Sequence, residues 1–270
     1  MKILSLVIAI TLLSTVMAFA DGQIDISYAG YTISQPGSYV VVKDLHATTN
    51  QNAITVSTCD VTVDLNGHVL YGAGTAAGSS GIGVFGVNNQ NNIAVYNGTV
   101  RDFREYGVCL YGDNQQVSRI RAYRNGNAGI FIGNGTIWNN SVQANLDGIQ
   151  SGIGSTVTGN SAYQNTRYGI YGTGCTIIGN TLYNNSSSGI RVQASSNVIH
   201  NTARFNNGAG IESTGEDNSI SQNLSTWNLY GVRSVSGTSY FEQNKLSGNT
   251  TDESLGTSTE GAGDLANVIF

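Results

Sequence analysis

From Gly107 to Val232 one arrangement of apolar and polar positions returns about every 21 residues. A Gly-aliphatic pair marks each copy: Gly107-Val108, Gly129-Ile130, Gly148-Ile149, Gly169-Ile170, Gly189-Ile190, Gly210-Ile211 and Gly231-Val232, at steps of 22, 19, 21, 20, 21 and 21. A second apolar column runs through Val117, Ile137, Val157, Ile177, Val198, Ile220 and Phe241, and a third through Ala122, Val142, Ala162, Leu182, Ala203, Ser225 and Leu246. Apolar residues alternate with polar ones over a few positions and then stop at Gly or Asn, without the spacing of an amphipathic helix. Each copy therefore predicts three short strands that turn one or two side chains inward.

Two asparagine columns punctuate the copies. The first is Asn140, Asn160, Asn180, Asn201, Asn223 and Asn244, with Ile120 in the opening copy; the second is Asn125, Asn145, Asn165, Asn185, Asn206, Asn228 and Asn249. Coils stacked about 4.8 Å apart place every column in contact with its own copies. Asn suits such a column because it tolerates left-handed turns and can hydrogen-bond to the Asn of the next coil. The paired Gly is expected to supply a positive φ at the strand entry. The period excludes helical repeats of about 33 to 47 residues, and the fold class is all-β: a single-domain parallel β-helix.

The pattern from about residue 81 to 249 resembles the right-handed β-helix repeat of the pectin-lyase-like superfamily. Upstream, Ile33-Ser34-Gln35-Pro36-Gly37-Ser38-Tyr39, Asn52-Ala53-Ile54-Thr55-Val56 and Val61-Thr62-Val63-Asp64-Leu65-Asn66-Gly67-His68 are similar to the opening rungs of exported bacterial right-handed β-helix repeat proteins, NosD-like ones among them. The resemblance implies a right-handed solenoid, and because the superfamily spans lyases, hydrolases, epimerases and adhesins it implies no single activity. It implies no catalytic residue. The Asn-Thr-Asp, Asp-Asp, His-Gly and Arg-Ile-Lys motifs of polygalacturonase-like hydrolases are missing, as is the Asp-Pro-His-Asp motif of alginate epimerases.

Composition bounds the setting. Lys2, the apolar run from Ile3 to Val16 and Ala18-Phe19-Ala20 read as a signal peptide over 1–20, cleaved after Ala20. The expected location is secreted or periplasmic, with no membrane insertion after cleavage. An N-terminal cap over 21–52, the β-helix over 53–249 and a C-terminal cap or tail over 250–270 would follow, the tail closing on Val268-Ile269-Phe270. Twelve basic residues, one of them Lys2, face 17 acidic ones, which argues against nucleic acid or an anionic membrane as partner. The chain is expected to be a monomer, and its three cysteines, Cys59, Cys109 and Cys175, to fill coils as buried thiols.

Candidate chemistry lies outside the apolar columns. The residue after each inward aliphatic points outward, giving Cys109, Phe131, Gln150, Tyr171, Arg191, Glu212 and Arg233. Phe131 and Tyr171 could stack on sugar rings, while Arg191 and Arg233, with Glu212 between them, could grip uronate carboxylates. The same charges could serve only the sheet, at about 0.2–1 kcal/mol per cross-strand pair. Asp147 is the one acid directly before a Gly-aliphatic pair, and Asp102 is a carboxylate that could approach it, so these two are the catalytic candidates. Glu212, Glu216 and Asp217 form an acidic group whose oxygens would suit calcium; no other cofactor or metal is indicated. The leading expectation is an exported protein that binds or presents a surface to polysaccharide at the cell envelope or outside the cell. A divergent polysaccharide lyase or glycoside hydrolase and a structural envelope protein are the alternatives.

Overall fold

A computed structural model describes residues 22–75, 80–256, 258–261 and 266–270. The signal segment expected at 1–20 lies outside them. The described chain contains no helix and coils about eleven times as a right-handed parallel β-solenoid.

Sheet 1 holds eleven strands in sequence order from Tyr31–Ile33 to Thr251–Ser254, seven of which carry the aliphatic residue of a Gly-aliphatic pair. Sheet 2 carries the second apolar column and sheet 3 the third. Sheets 2 and 3 merge where Ile93–Arg101 and Gln115–Tyr123 run round the corner as single strands. In sheet 1 the register sets Ile130, Ile149, Ile170, Ile190, Ile211 and Val232 opposite one another, and all are fully buried. Burial of each such side chain stabilises the fold by about 1.5–3 kcal/mol.

The asparagine columns form the expected ladders. Asn160 Nδ2 and its backbone N–H both donate to Asn180 Oδ1, at 3.0 and 2.9 Å, and Nδ2 also donates to the Ile137 carbonyl at 3.0 Å. Each Asn thus satisfies backbone groups that a buried corner would leave unpaired. The left-handed residue is the one before the ladder Asn: Asn139, Gly159, Gly179 and His200 on one corner, Ala144, Gln164, Asn184 and Phe205 on the other. That twist swings the Asn side chain inward.

The paired glycines also differ from expectation, since none of the seven has a positive φ. Their reason is close approach. A Cβ on Gly169 would lie 2.6 Å from the Gly189 carbonyl oxygen and 2.9 Å from Asn185 Nδ2. The ladder amide and the next coil leave no room for a side chain.

Coiling reaches beyond the 53–249 span at both ends. Tyr31–Ile33 pairs with Ile54–Val56, Gly37–Val41 with Val61–Asp64 and Leu45–His46 with Val69–Tyr71, so residues 31–52 form a coil of their own. At the other end Thr251–Ser254, Thr259–Glu260 and Val268–Ile269 pair with the three strands of the preceding coil. Here Glu253 stands opposite inward Val232, and Glu260 opposite inward Phe241. Inward carboxylates at a sheet edge discourage further strand pairing.

Burial is the main cause that raises the Glu253 pKa above the ordinary glutamate value, followed by the negative charges of Glu260 and Asp252. A carboxyl whose folded pKa is raised favours folding most below its unfolded pKa, and that contribution is lost as pH rises through the folded value. Glu253→Gln is therefore expected to raise the thermal midpoint at neutral pH and leave it nearly unchanged at pH 4, read from melting curves. An equal shift at both pH values would contradict this assignment.

Candidate functional site

The outward column of sheet 1 is assembled as the alternation predicts. Cross-strand register sets Phe131 opposite Gln150, then Tyr171, Arg191, Glu212 and Arg233, one residue per coil. All five expected binding residues lie on one line along the solenoid axis.

The charged end is layered, with acids beneath and guanidinium groups above. Glu212, 7% exposed, accepts a hydrogen bond from the Ser188 hydroxyl at 3.1 Å. Arg191 Nε lies 3.4 Å from Glu212 Oε1 and Arg233 Nη1 3.9 Å from Oε2, while both arginine side chains remain about one-third exposed. Arg191 also donates to the Tyr168 hydroxyl and sits 5.1 Å from the centre of that ring; Arg233 sits 4.7 Å from the centre of Tyr230. Rings beneath guanidinium groups hold them in place and leave their edges free to donate.

Asp147 is wholly buried at the entry of its sheet 1 strand, before close-packed Gly148. Arg167 binds it through Nε at 2.7 Å and through Nη2, Gln150 Nε2 donates at 2.6 Å, and the Tyr168 backbone N–H donates at 3.2 Å. Asp102 lies at a corner two coils earlier, bound by Arg101 Nε at 2.7 Å and by Arg124 at 2.8 and 3.1 Å. Burial is the largest single influence on Asp102 and raises its pKa, but the hydrogen bonds and charges of Arg124 and Arg101 together outweigh it and hold the carboxyl below the usual range. The two catalytic candidates are thus locked in separate ion pairs, an arrangement suited to orientation and poor for proton transfer.

The calcium expectation fails on geometry. Glu212 is turned to Arg191 and Arg233, whereas Glu216 and Asp217 are exposed in the following loop. Among the described residues no three His, Cys, Asp or Glu side chains form a metal-binding group.

At the aromatic end Phe131 packs against Tyr111 and Tyr106, with ring centres 5.1 and 5.8 Å apart, and Tyr111 meets Phe85 edge-on. Cys109 lies fully buried in the same outward column. Burial pushes its thiol up to about 12, so it stays protonated and unreactive. Cys175 joins the interior core and Cys59 is half-buried; all three are free thiols.

Arg167 and Tyr168 belong to this face although they stand outside the outward column. The available signal was the column before each paired Gly, where Tyr106, Tyr168 and Tyr230 alternate with Ala, Ser and Asp. Tyr168 stacks on Tyr171, with centres 6.0 Å apart, and Arg167 lies 5.1 Å from the Tyr168 ring centre.

No protein-family model matches this chain, and no curated protein matches it. Solved structures do. The Dettilon tailspike protein (gp208) superposes with a TM-score of 0.68 at 14% identity over 92% of this chain, which spans 60% of that protein's length. The periplasmic alginate epimerase AlgG gives 0.63 at 13% identity, covering 92% of this chain and 75% of the other. The mannuronan C-5 epimerase AlgE4 A-module of Azotobacter vinelandii gives 0.59 at 14% identity, covering 89% and 91%. At such identities the likeness concerns the fold alone. Together with the parallel register and the stacked ladders, it gives this chain the right-handed parallel β-helix fold.

Proposed function

We propose that the chain binds polysaccharide outside the cytoplasm, as a monomer, along the outward column of sheet 1. One observation carries this reading: Phe131, Tyr171, Arg191 and Arg233 form a single line of half-exposed rings and guanidinium groups parallel to the solenoid axis. Coils about 4.8 Å apart repeat on the scale of one sugar unit, so a linear glycan meets equivalent groups in succession. Because buried Glu212 offsets part of the charge of Arg191 and Arg233 from below, these donate to sugar hydroxyls, while the rings take the apolar sugar faces. Export is supported by the leader-like first twenty residues. The names of the structural neighbours, alginate and mannuronan epimerases among them, agree with a polysaccharide ligand. The lyase or hydrolase alternative has less support, because Asp102 and Asp147 are both held by arginines.

Affinity electrophoresis through gels containing neutral or uronate polysaccharides tests the face. Arg191→Ala combined with Arg233→Ala is expected to weaken retardation about tenfold or more, since two charge-assisted contacts are lost, with the circular dichroism spectrum unchanged. Undiminished retardation would move the binding surface elsewhere.

A further inference from the structure

Sheet 3 carries a groove of different character. Five of the twelve Lys and Arg residues fall between positions 101 and 124: Arg101, Arg104, Arg119, Arg121 and Arg124. Arg119 and Arg124 occupy the two corner positions either side of Arg121–Tyr123, both with φ 52°. Later coils place Asn139, Gly159, Gly179 and His200 at one of these corners and Ala144, Gln164, Asn184 and Phe205 at the other. A left-handed arginine costs about 1–2 kcal/mol more than glycine there, and one coil carries two.

The arginines are layered with rings. Arg101 lies 5.1 Å from the centre of Tyr123, Arg124 4.8 Å from the same ring, and Arg119 5.4 Å from that of Tyr96. Beside Arg101 and Tyr123 opens a groove of about 230 Å³ lined by Thr99, Arg101, Arg121, Tyr123, Gln143 and Tyr163, among others. Arg101, Tyr123, Gln143 and Tyr163 stand opposite one another on four successive coils.

Charge decides what fits. Asp102 pairs with Arg101 and Arg124 only. Arg119 and Arg121 have no carboxylate partner among the described residues, and Arg121 spends one N–H on the Thr99 hydroxyl at 2.9 Å. The groove is thus cationic on a chain whose net charge is −5. Sheet 1 differs, since a buried acid lies under its arginines.

We infer that this groove binds the carboxylate-bearing sugar units of an acidic polysaccharide. The guanidinium fork of Arg121 matches a carboxylate in two-point contact, and Arg119, outside the groove at the corner two residues earlier, adds positive charge to this side of the coil. Tyr123 and Tyr163 offer ring surface to the sugars, and Gln143 between them offers an amide to hydroxyls. The column follows the solenoid axis at about 4.8 Å per coil, so the polymer lies along it. Two unpaired arginines give too few phosphate contacts for a nucleic acid, whose binding grows with the number of phosphates neutralised. The inference rests on the polysaccharide reading and adds a second face and the charge of its ligand.

Titration calorimetry on the full chain tests it with four short probes: a galacturonate oligomer, a mannuronate oligomer, the methyl ester of the former, and an oligothymidylate. The expected result is binding of at least one uronate oligomer, about tenfold or more weaker for its ester, and weakened by salt. Exposed Arg119→Gln with Arg121→Gln should abolish this ester-sensitive binding with the melting curve retained, whereas the Arg191→Ala, Arg233→Ala chain should keep it. Equal binding of acid and ester, no effect of the Gln pair, or equally tight oligothymidylate would overturn the inference. If neither uronate oligomer binds while neutral polysaccharides are retained through Arg191 and Arg233, the groove assignment falls and the polysaccharide reading stands. If no sugar binds, both fall.

Discussion

Asn180→Ala is expected to lower stability by about 3–5 kcal/mol. The Asn180 side chain accepts from the Asn160 backbone N–H at 2.9 Å and from Asn160 Nδ2 at 3.0 Å, and donates to the Val157 carbonyl at 2.9 Å. Asn160 and Asn180 are almost wholly buried, so water does not replace these bonds without opening the corner. Each buried polar group left unpaired costs about 1–3 kcal/mol, and Asn180→Ala strands at least two of them. The damaged coils also hold Tyr168 and Arg191, so polysaccharide retention should weaken together with the denaturation midpoint. A loss below about 1 kcal/mol in chemical denaturation would show that the ladder is dispensable to the corner, against the present account.

Gly148→Ala should be nearly as costly, at about 3 kcal/mol, for a steric reason. A Cβ at this position would lie 2.4 Å from the Gly169 carbonyl oxygen, 2.9 Å from Asn165 Nδ2 and 2.9 Å from Val142 Cγ2. Overpacking of this kind forces the backbone apart and typically costs about 1–3 kcal/mol, occasionally more; here the displaced atoms belong to the next coil, a ladder amide and the core together. Gly179→Ala provides the contrast, because that glycine has φ +66° and no atom within 4 Å of a built Cβ. Its cost should be the conformational penalty alone, about 1–2 kcal/mol. Equal losses in the two variants, measured by thermal denaturation, would mean that backbone conformation rather than close approach selects glycine in the pairs.

Most of the fold was legible because a solenoid repeats its environment as well as its sequence. Ile170 and Ile177 meet near-copies of themselves above and below, so one buried position predicts the next. The ladder asparagines were legible on the same ground, down to the bond each makes with its copy. Backbone angles were not: a glycine kept small by Asn185 and a glycine kept for its φ look alike in a sequence. The end coils were hidden for a related reason, since Glu253 and Glu260 stand where every earlier coil has an apolar residue.

The outward column of sheet 1 was legible from strand alternation, which fixes Phe131, Tyr171, Arg191, Glu212 and Arg233 to one side. Which groups that column borrows from its corners was not. Arg167 is 20 residues from Asp147 and becomes its neighbour only because the coils stack. In sheet 3 the same alternation fixes Tyr123, Gln143 and Tyr163 outward, but the arginines around them do not follow from it, because Arg119 and Arg124 sit at corner positions and Arg121 lies two residues before Tyr123. The density of arginine between 101 and 124 was the one signal pointing there.

The central claim is that this solenoid holds polysaccharide on its outer faces without cutting it. The most direct measurement incubates the chain from Asp21 onward with a panel of uronate and neutral polysaccharides, following the bound fraction together with new reducing or unsaturated ends. The account predicts retention on at least one polymer with no increase in ends. Cleavage would contradict it in favour of an enzyme, and absence of both retention and cleavage across the panel would contradict it in favour of a purely structural envelope protein.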